Sequence, residues 1–490
     1  MIRELHVPLF DISLSLSNAL DLISSSVTNH HKHVAYIASA IAAEIGLSKD
    51  DEIDILLAGT LHDIGALSLK ERLDTLNFEI DLPHRHAEKG YYLLKDFAPF
   101  AKIAPLIRYH HLPWSNGSGE SFNGEEVPLG SHILHLADRV DVLIDRDSDI
   151  LNQVDDICEK VERFSGKLFH PELIDGFKRV AQREYFWLDL VSFSLERVLA
   201  RKTRTASVEL DIVGLIELTR IYSKIIDFRS RFTATHSSGV AAVSETLAAL
   251  VGMSRHQCLK MKVAGYLHDL GKLAIPTTIL EKAEKLTSKE YNIIKRHTFY
   301  TYRILENVKG LEQINSWAAL HHERLDGRGY PFGHKGDELS LGSRIVAVAD
   351  VFTALTEDRP YRQGMEKDKV MDILEDMVQT KALDSRIVKL LKNNYEKVNK
   401  LRYVAQTNAA QAYTDFEEKT DLESKNRDSY QEIIKDTGEK KLQKETTVGM
   451  DKDSPICSVC GYHYQGEVPF TELDLEWRCP ICGASKEAFK

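Results

Sequence analysis

The sequence predicts a mainly α-helical chain: two tandem helical bundles of one plan, a charged stretch, and a small C-terminal module built round four cysteines. Three observations predict this. Apolar residues recur at spacings of three and four, as in Val34, Ile37, Ile41 and Ile45 and again in Val240, Val243, Leu247 and Leu250, which is the helical period. The stretch AGTLHDIGALSL at 58–69 returns as AGYLHDLGKLAI at 264–275. Near the C-terminus Cys457, Cys460, Cys479 and Cys482 form two C-x-x-C pairs, whereas strand-like alternation is scarce throughout.

The 490 residues suffice for two or three domains with full cores, and 43% apolar with 28% charged residues is ordinary for a globular chain. A net charge of -11 argues against sequence-independent nucleic-acid binding, which needs a basic face, but leaves room for a nucleotide in a locally positive pocket. No apolar run reaches the roughly 18 residues of a membrane span. The N-terminal stretch carries Asp11 inside its apolar part, so a cytoplasmic chain with no membrane partner is expected.

The repeat extends well beyond the two quoted stretches. His30 returns as His236, Ser48 as Ser254, His62–Asp63 as His268–Asp269, His86 as His297, His110–His111 as His321–His322, and Asp138 as Asp350. The offset is 206 at the start and 212 at the end, so a few inserted residues separate otherwise parallel halves. Ser48 with Asp51, Ser254 with Gln257 and Thr287 with Glu290 have the spacing of helix N-caps. After about residue 400 the chain turns charged and poor in large apolar residues, and reads as a linker, helical in part. The divisions expected are 1–195, 205–400, a linker over 401–453, and a small module over 454–490.

Each half therefore carries five His and two Asp in the order H, HD, H, HH, D. Neutral imidazoles and carboxylates suit iron, manganese and zinc, and a carboxylate can span two ions. The chemistry suited to such a set is therefore a pair of divalent ions. Neighbours on a helix point about 100° apart, so His268 and Asp269 share a target only if two ions lie along the helix. The remaining histidines, His84, His132 and His135 among them, read as core or surface imidazoles.

At this point the second half resembles the HD-GYP family of metal-dependent phosphohydrolases. The residues that carry the resemblance are HDLGK at 268–272, HHERLDGRGYP at 321–331 and VAVADVFTALTEDRPYR around Asp350. The resemblance implies a hydrolase of cyclic di-GMP or a related cyclic dinucleotide. It implies one ion on His236, His268, Asp269 and Asp350 and another on Asp269, His297, His321 and His322. Members with a third metal have a Glu four residues before the first His; Phe232 stands there, which favours two ions. Asp269 and Lys272 are the expected catalytic residues, with Lys272 one helical turn on and able to place an ammonium on phosphate. Arg324, Arg328 and Tyr330, in and beside the Gly-rich loop, are candidate substrate contacts.

The first half resembles the same superfamily with parts missing. His30, His62, Asp63, His86, His110, His111 and Asp138 keep the donor order and form a possible second site, but Ala66 replaces the lysine and LPWSNGSGESFNG replaces the Gly-Tyr-Pro loop. A regulatory or pairing role is expected. The four cysteines, with Trp477 before Cys479 and Pro480 within the second pair, resemble rubredoxin, which implies one iron, or zinc, and one-electron transfer. The expected cofactors are thus two divalent metals, iron or manganese, with a separate iron or zinc at the cysteines. A redox partner protein and an oligomer are compatible with this reading. The alternatives are an HD-type di-iron oxygenase and a non-catalytic redox or cyclic-dinucleotide sensor.

Overall fold

A computed structural model describes residues 5–22, 29–67, 71–72, 75, 84–203, 208–228, 235–282, 284–358, 363–438, 455, 470–474, 477 and 486. Phe232 and the four cysteines, with the expectations attached to them, lie outside the described residues. The first half contains α1 (Leu9–Asp21), α2 (His30–Glu44), α3 (Lys49–Leu61), α4 (His84–Leu94), α5 (Ile103–Arg108), α6 (Leu129–Val142), α7 (Val154–Glu162), α8 (Pro171–Ala181), α9 (Glu184–Leu190) and α10 (Leu195–Thr203). The second contains α11 (Ile212–Phe228), α12 (His236–Leu250), α13 (Arg255–Leu267), α14 (Thr277–Leu280), α15 (Ser288–Leu305), α16 (Glu312–Ala319), α17 (Leu341–Thr356), α18 (Lys367–Gln379), α19 (Ser385–Asn393) and α20 (Tyr395–Gly438).

The repeat is one of helices. The elements α2, α3, α4, α5 and α6 recur as α12, α13, α15, α16 and α17, each pair carrying equivalent donors on it or at its end. The caps form as the spacing predicts. Ser48 accepts the Asp51 amide, and Ser254 with Gln257 and Thr287 with Glu290 close reciprocal capping boxes. The crossing of the first helix pair is tight for a stated reason: a Cβ on Gly59 would lie 2.6 Å from the Ala35 Cα, and one on Gly265 2.5 Å from the Ala241 Cα. Only glycine lets these backbones touch, and that contact brings His30 to His62 and His236 to His268.

One apolar core runs through both halves. The helix α1 lies against α3, but also against α15 and the turn 270–274, and the Tyr222 hydroxyl donates to the Ile12 carbonyl at 2.9 Å. Next to it β1 (Val7–Pro8) pairs antiparallel with a later strand, Val7 opposite Leu210 and Pro8 opposite Glu209. A hairpin of β2 (Ser121–Phe122) and β3 (Glu125–Glu126) turns at Asn123 and Gly124, both at positive φ, and stands in the segment that replaces the Gly-Tyr-Pro loop; the strand at Glu209–Leu210 is β4. The charged stretch read as a linker begins inside α20, which packs on α12 and α4 and buries Arg402, Gln406, Phe416 and Thr420. Its early turns are therefore part of the core, because a few well-spaced residues suffice to anchor one face of a polar helix. Among the described residues no helix is long and apolar enough to cross a membrane.

Candidate metal centres

The His–Asp pair does not sit in mid-helix. His268 is the last helical residue after α13, and Asp269 (φ -98°) opens the turn 270–274, so the two side chains converge without the 100° divergence that helical geometry imposes. Gly271 makes this possible. A Cβ there would lie 1.9 Å from the His297 carbonyl oxygen, so the turn rests directly on α15. Thr301 ties the two together: its hydroxyl donates to the His268 carbonyl at 3.1 Å and accepts the Gly271 amide at 2.9 Å.

The seven expected residues of the second half meet in one place. Asp269 spans it: Oδ2 lies 3.1 Å from His268 Nε2 and Oδ1 3.4 Å from His297 Nε2. Asp350 Oδ1 lies 3.1 Å from His236 Nε2 and 3.9 Å from His268 Nε2, and Oδ2 4.0 Å from His322 Nδ1. The imidazole of His321 stands 3.4 Å from that of His297, Nε2 to Nε2. Two donor groups form, His236 with His268 and Asp350, and His297 with His321 and His322. The Nδ1 atoms of His268, His297 and His321 bond the carbonyls of Gly265, Ile294 and Ala318 at 2.7–2.8 Å, which turns each Nε2 inward as a lone-pair donor. His236 Nδ1 instead meets the Glu357 carboxylate at 3.1 Å.

The charge states of His297, His321, His322 and Asp269 fit divalent metal, and His236 would give up a proton to join them. Burial pushes His297 down to about 3 and lowers His321 and His322, so these rings are neutral. Burial opposes the charge on Asp269, yet His268 and Lys272 hold its carboxyl well below the usual carboxylate range. Burial likewise opposes the charge on His236, but Glu357 and Asp350 outweigh it and push that ring up to about 10. The Lys272 ammonium lies 2.6 Å from Asp269 Oδ2. The Tyr330 ring lies beside that of His322, centres 5.0 Å apart and planes tilted by 39°. Arg324 is engaged elsewhere: it forks the Asp326 carboxylate at 2.9 and 3.1 Å, and the Arg328 amide bonds the same carboxylate at 2.9 Å.

The first half gathers its seven donors as closely. Asp63 Oδ1 lies 3.1 Å from His86 Nε2 and 3.5 Å from His110 Nε2, while Oδ2 lies 3.6 Å from His62 Nε2 and 3.9 Å from His30 Nε2. Asp138 Oδ1 stands 3.4 Å from His30 Nε2, and His111 Nε2 3.0 Å from His86 Nε2. Gly65 repeats the role of Gly271, with a Cβ 2.0 Å from the His86 carbonyl oxygen.

Several residues here were not singled out in the sequence. The carboxylate behind His30 is Asp141, 2.7 Å from its Nδ1, three residues after Asp138; the one behind His236 is Glu357, seven after Asp350. The spacing differs between halves, so the repeat hides them. Asp141 also holds His33 at 2.6 Å, and Asp21 of α1 holds His31. Glu323 accepts the amides of Phe332 and Gly333 at 2.7 and 3.0 Å and so fastens the Gly-Tyr-Pro loop.

Comparison with known proteins agrees with this architecture. The HD domain family matches residues 220–387 and again 27–143, and the rubrerythrin, rubredoxin-like domain matches 456–490. The 3′3′-cGAMP-specific phosphodiesterase 1 of Vibrio cholerae is 32% identical over 410 residues, covering 81% of this chain and 94% of that one. This chain belongs to the HD-GYP family. Other HD-GYP relatives include the cyclic di-GMP phosphodiesterase response regulator RpfG of Xanthomonas campestris, 38% identical over 154 residues, 31% of this chain and 41% of that one. A crystal structure of a cyclic GMP-AMP specific phosphodiesterase of V. cholerae shares the fold, with a TM-score of 0.57 and 23% identity over 80% of this chain and 98% of that one. HD domains are metal-dependent, and the HD-GYP relatives support a phosphodiesterase.

Proposed function

We propose that the second half hydrolyses a phosphodiester bond of a cyclic dinucleotide at a pair of divalent ions, iron or manganese. The observation that carries this reading is Asp269, whose two oxygens face His268 on one side and His297 on the other. In this reading His236, His268, Asp269 and Asp350 hold one ion, and Asp269, His297, His321 and His322 the other. When bound, such a pair supplies a nucleophile from water near neutral pH and neutralises charge on phosphoryl oxygens.

The chain's own residues do the rest. His322 and Asp350 are the exposed members of the set, with side chains 31% and 13% exposed, so the substrate approaches from their side. Lys272, 24% exposed, already has its charge at the donors and turns its ammonium to an incoming phosphate oxygen. The Tyr330 ring, held beside His322 by a loop that Glu323 anchors, offers a face on which a base stacks. The four cysteines hold one metal; as iron, and not as redox-inert zinc, it would exchange single electrons with an iron pair, so that hydrolysis responds to redox state.

Both cyclic di-GMP and 3′3′-cGAMP fit this chemistry. The second is favoured by the relative named for it, which aligns over 81% of this chain, whereas the cyclic di-GMP relatives align over about a third. The test is hydrolysis of each dinucleotide by metal-replete protein, with products separated by chromatography. Cleavage of either is expected; oxygen consumption with an organic substrate and no cleavage would favour oxygenase chemistry instead.

A further inference from the structure

We propose that the first half holds a second pair of divalent ions, in a closed centre whose added ligand is a small anion bound by Arg72. No cyclic dinucleotide reaches this pair.

The donors argue for metal independently of the second half. Five buried atoms converge without a hydrogen-bond partner: Nε2 of His30, His62 and His110, and one oxygen each of Asp63 and Asp138. An unpartnered buried polar atom is destabilising by about 1–3 kcal/mol, so five in one place mark a ligand site. Asp63 spans two groups of imidazoles just as Asp269 does, and the Nδ1 atoms of His62 and His110 bond the Gly59 and Ile107 carbonyls at 2.9 and 2.6 Å.

Access separates the two centres. Every one of the seven donors in the first half is at most 5% exposed. The second half opens at His322, Lys272 and Asp350, and the first has no such opening among its donors. A cyclic dinucleotide must bring a phosphorus, flanked by two nucleosides, into contact with the ions. A closed centre admits only a ligand of a few atoms.

Arg72 sets the charge of that ligand. It is 3% exposed; its Nε donates to the Ala66 carbonyl at 2.7 Å and its Nη1 to the Leu20 carbonyl at 2.8 Å, while Nη2 has no partner among the described residues. The cavity beside it is lined by Leu20, His30, His31, Asp63 and Thr75. Ala66 stands where the second half has Lys272, so each centre has a cation, but the first takes it from another residue, anchored on the very alanine that replaced the lysine. Asp138 is already paired with Arg139 at 2.7 Å. Two divalent ions with Asp63 as their one uncommitted carboxylate leave an excess of positive charge, which an anion next to the free Nη2 balances.

Manganese tests this, because it favours imidazole and carboxylate over the thiolates at the C-terminus. The full chain carrying His268→Ala and Asp269→Ala should retain about two Mn2+ per chain, with the electron paramagnetic resonance signal of a coupled pair. Azide should perturb that signal. Adding Arg72→Met should keep the pair but weaken azide binding about 10- to 100-fold, the loss of one hydrogen bond to a charged group. Adding the isosteric Asp63→Asn, with an unchanged thermal melt, should abolish the pair. A second-centre variant that binds no manganese, or azide binding that Arg72→Met leaves unchanged, would overturn the proposal. Cyclic-dinucleotide cleavage surviving in that variant would overturn the closure of the first centre.

Discussion

Gly271→Ala is the perturbation whose outcome the geometry fixes most tightly. The glycine has no positive φ, so alanine suits its backbone and the effect is one of space alone. The new Cβ would start 1.9 Å from the His297 carbonyl oxygen, against a floor near 3.0 Å for real contacts, so α15 and the turn must part by about 1.1 Å. That movement acts on the line between Asp269 Oδ1 and His297 Nε2, now 3.4 Å, and on both Thr301 hydrogen bonds across the gap. Misplacement by about 1 Å of groups that position a reaction lowers rate by roughly 100-fold. We therefore expect cleavage of the cyclic dinucleotide to fall about 100-fold, with weaker manganese binding at the second centre. The assay pairs initial rates with metal content, and a thermal melt verifies folding. Gly65→Ala, which meets the His86 carbonyl at 2.0 Å, should disturb the first centre and spare the rate. Wild-type rate and metal content in Gly271→Ala would refute the claim that this contact sets the donor geometry.

Other outcomes follow from single contacts. Lys272→Ala should cut kcat by about 100- to 1,000-fold while metal content stays unchanged, as loss of a preorganised charge does, and Ala66→Lys should add no cleavage. His236, pushed up to about 10, carries its proton at neutral pH in the metal-free protein. Metal uptake displaces that proton, so affinity rises with pH, and indicator dye should record less proton release in Glu357→Gln, where the carboxylate partner is gone. Thr287→Ala opens the capping box of the helix bearing His297 and should lower stability by about 1 kcal/mol in chemical denaturation. Cys457→Ser with Cys460→Ser should change how oxidation alters the hydrolysis rate of iron-loaded protein; an identical response would defeat the redox link.

The bundles and their donors were legible because the repeat constrains them twice. Where His, Asp and cap residues recur in one order at offsets of 206 to 212, helix period and ligand order support each other. Gly65 and Gly271 were visible too, two residues after each Asp, although only coordinates reveal the carbonyl beneath them. Glu357 and Asp141 were not legible, since each half finds its supporting carboxylate at a different distance along the chain. Arg72 was hidden for a similar reason: a cation at 72 serves a place that position 66 vacated. The helix α1 bridges the halves through packing that no local pattern announces, and α20 mixes a few buried residues into a strongly charged sequence, which composition averages away.

The central claim is that catalysis belongs to the open centre of the second half. Its most direct test is cleavage of cyclic di-GMP and 3′3′-cGAMP, with metal analysis, by wild type, by His62→Ala with Asp63→Ala, and by His268→Ala with Asp269→Ala. Loss of cleavage in the second variant, with turnover kept in the first, is the predicted result. Turnover that survives in the second variant and disappears in the first would contradict it.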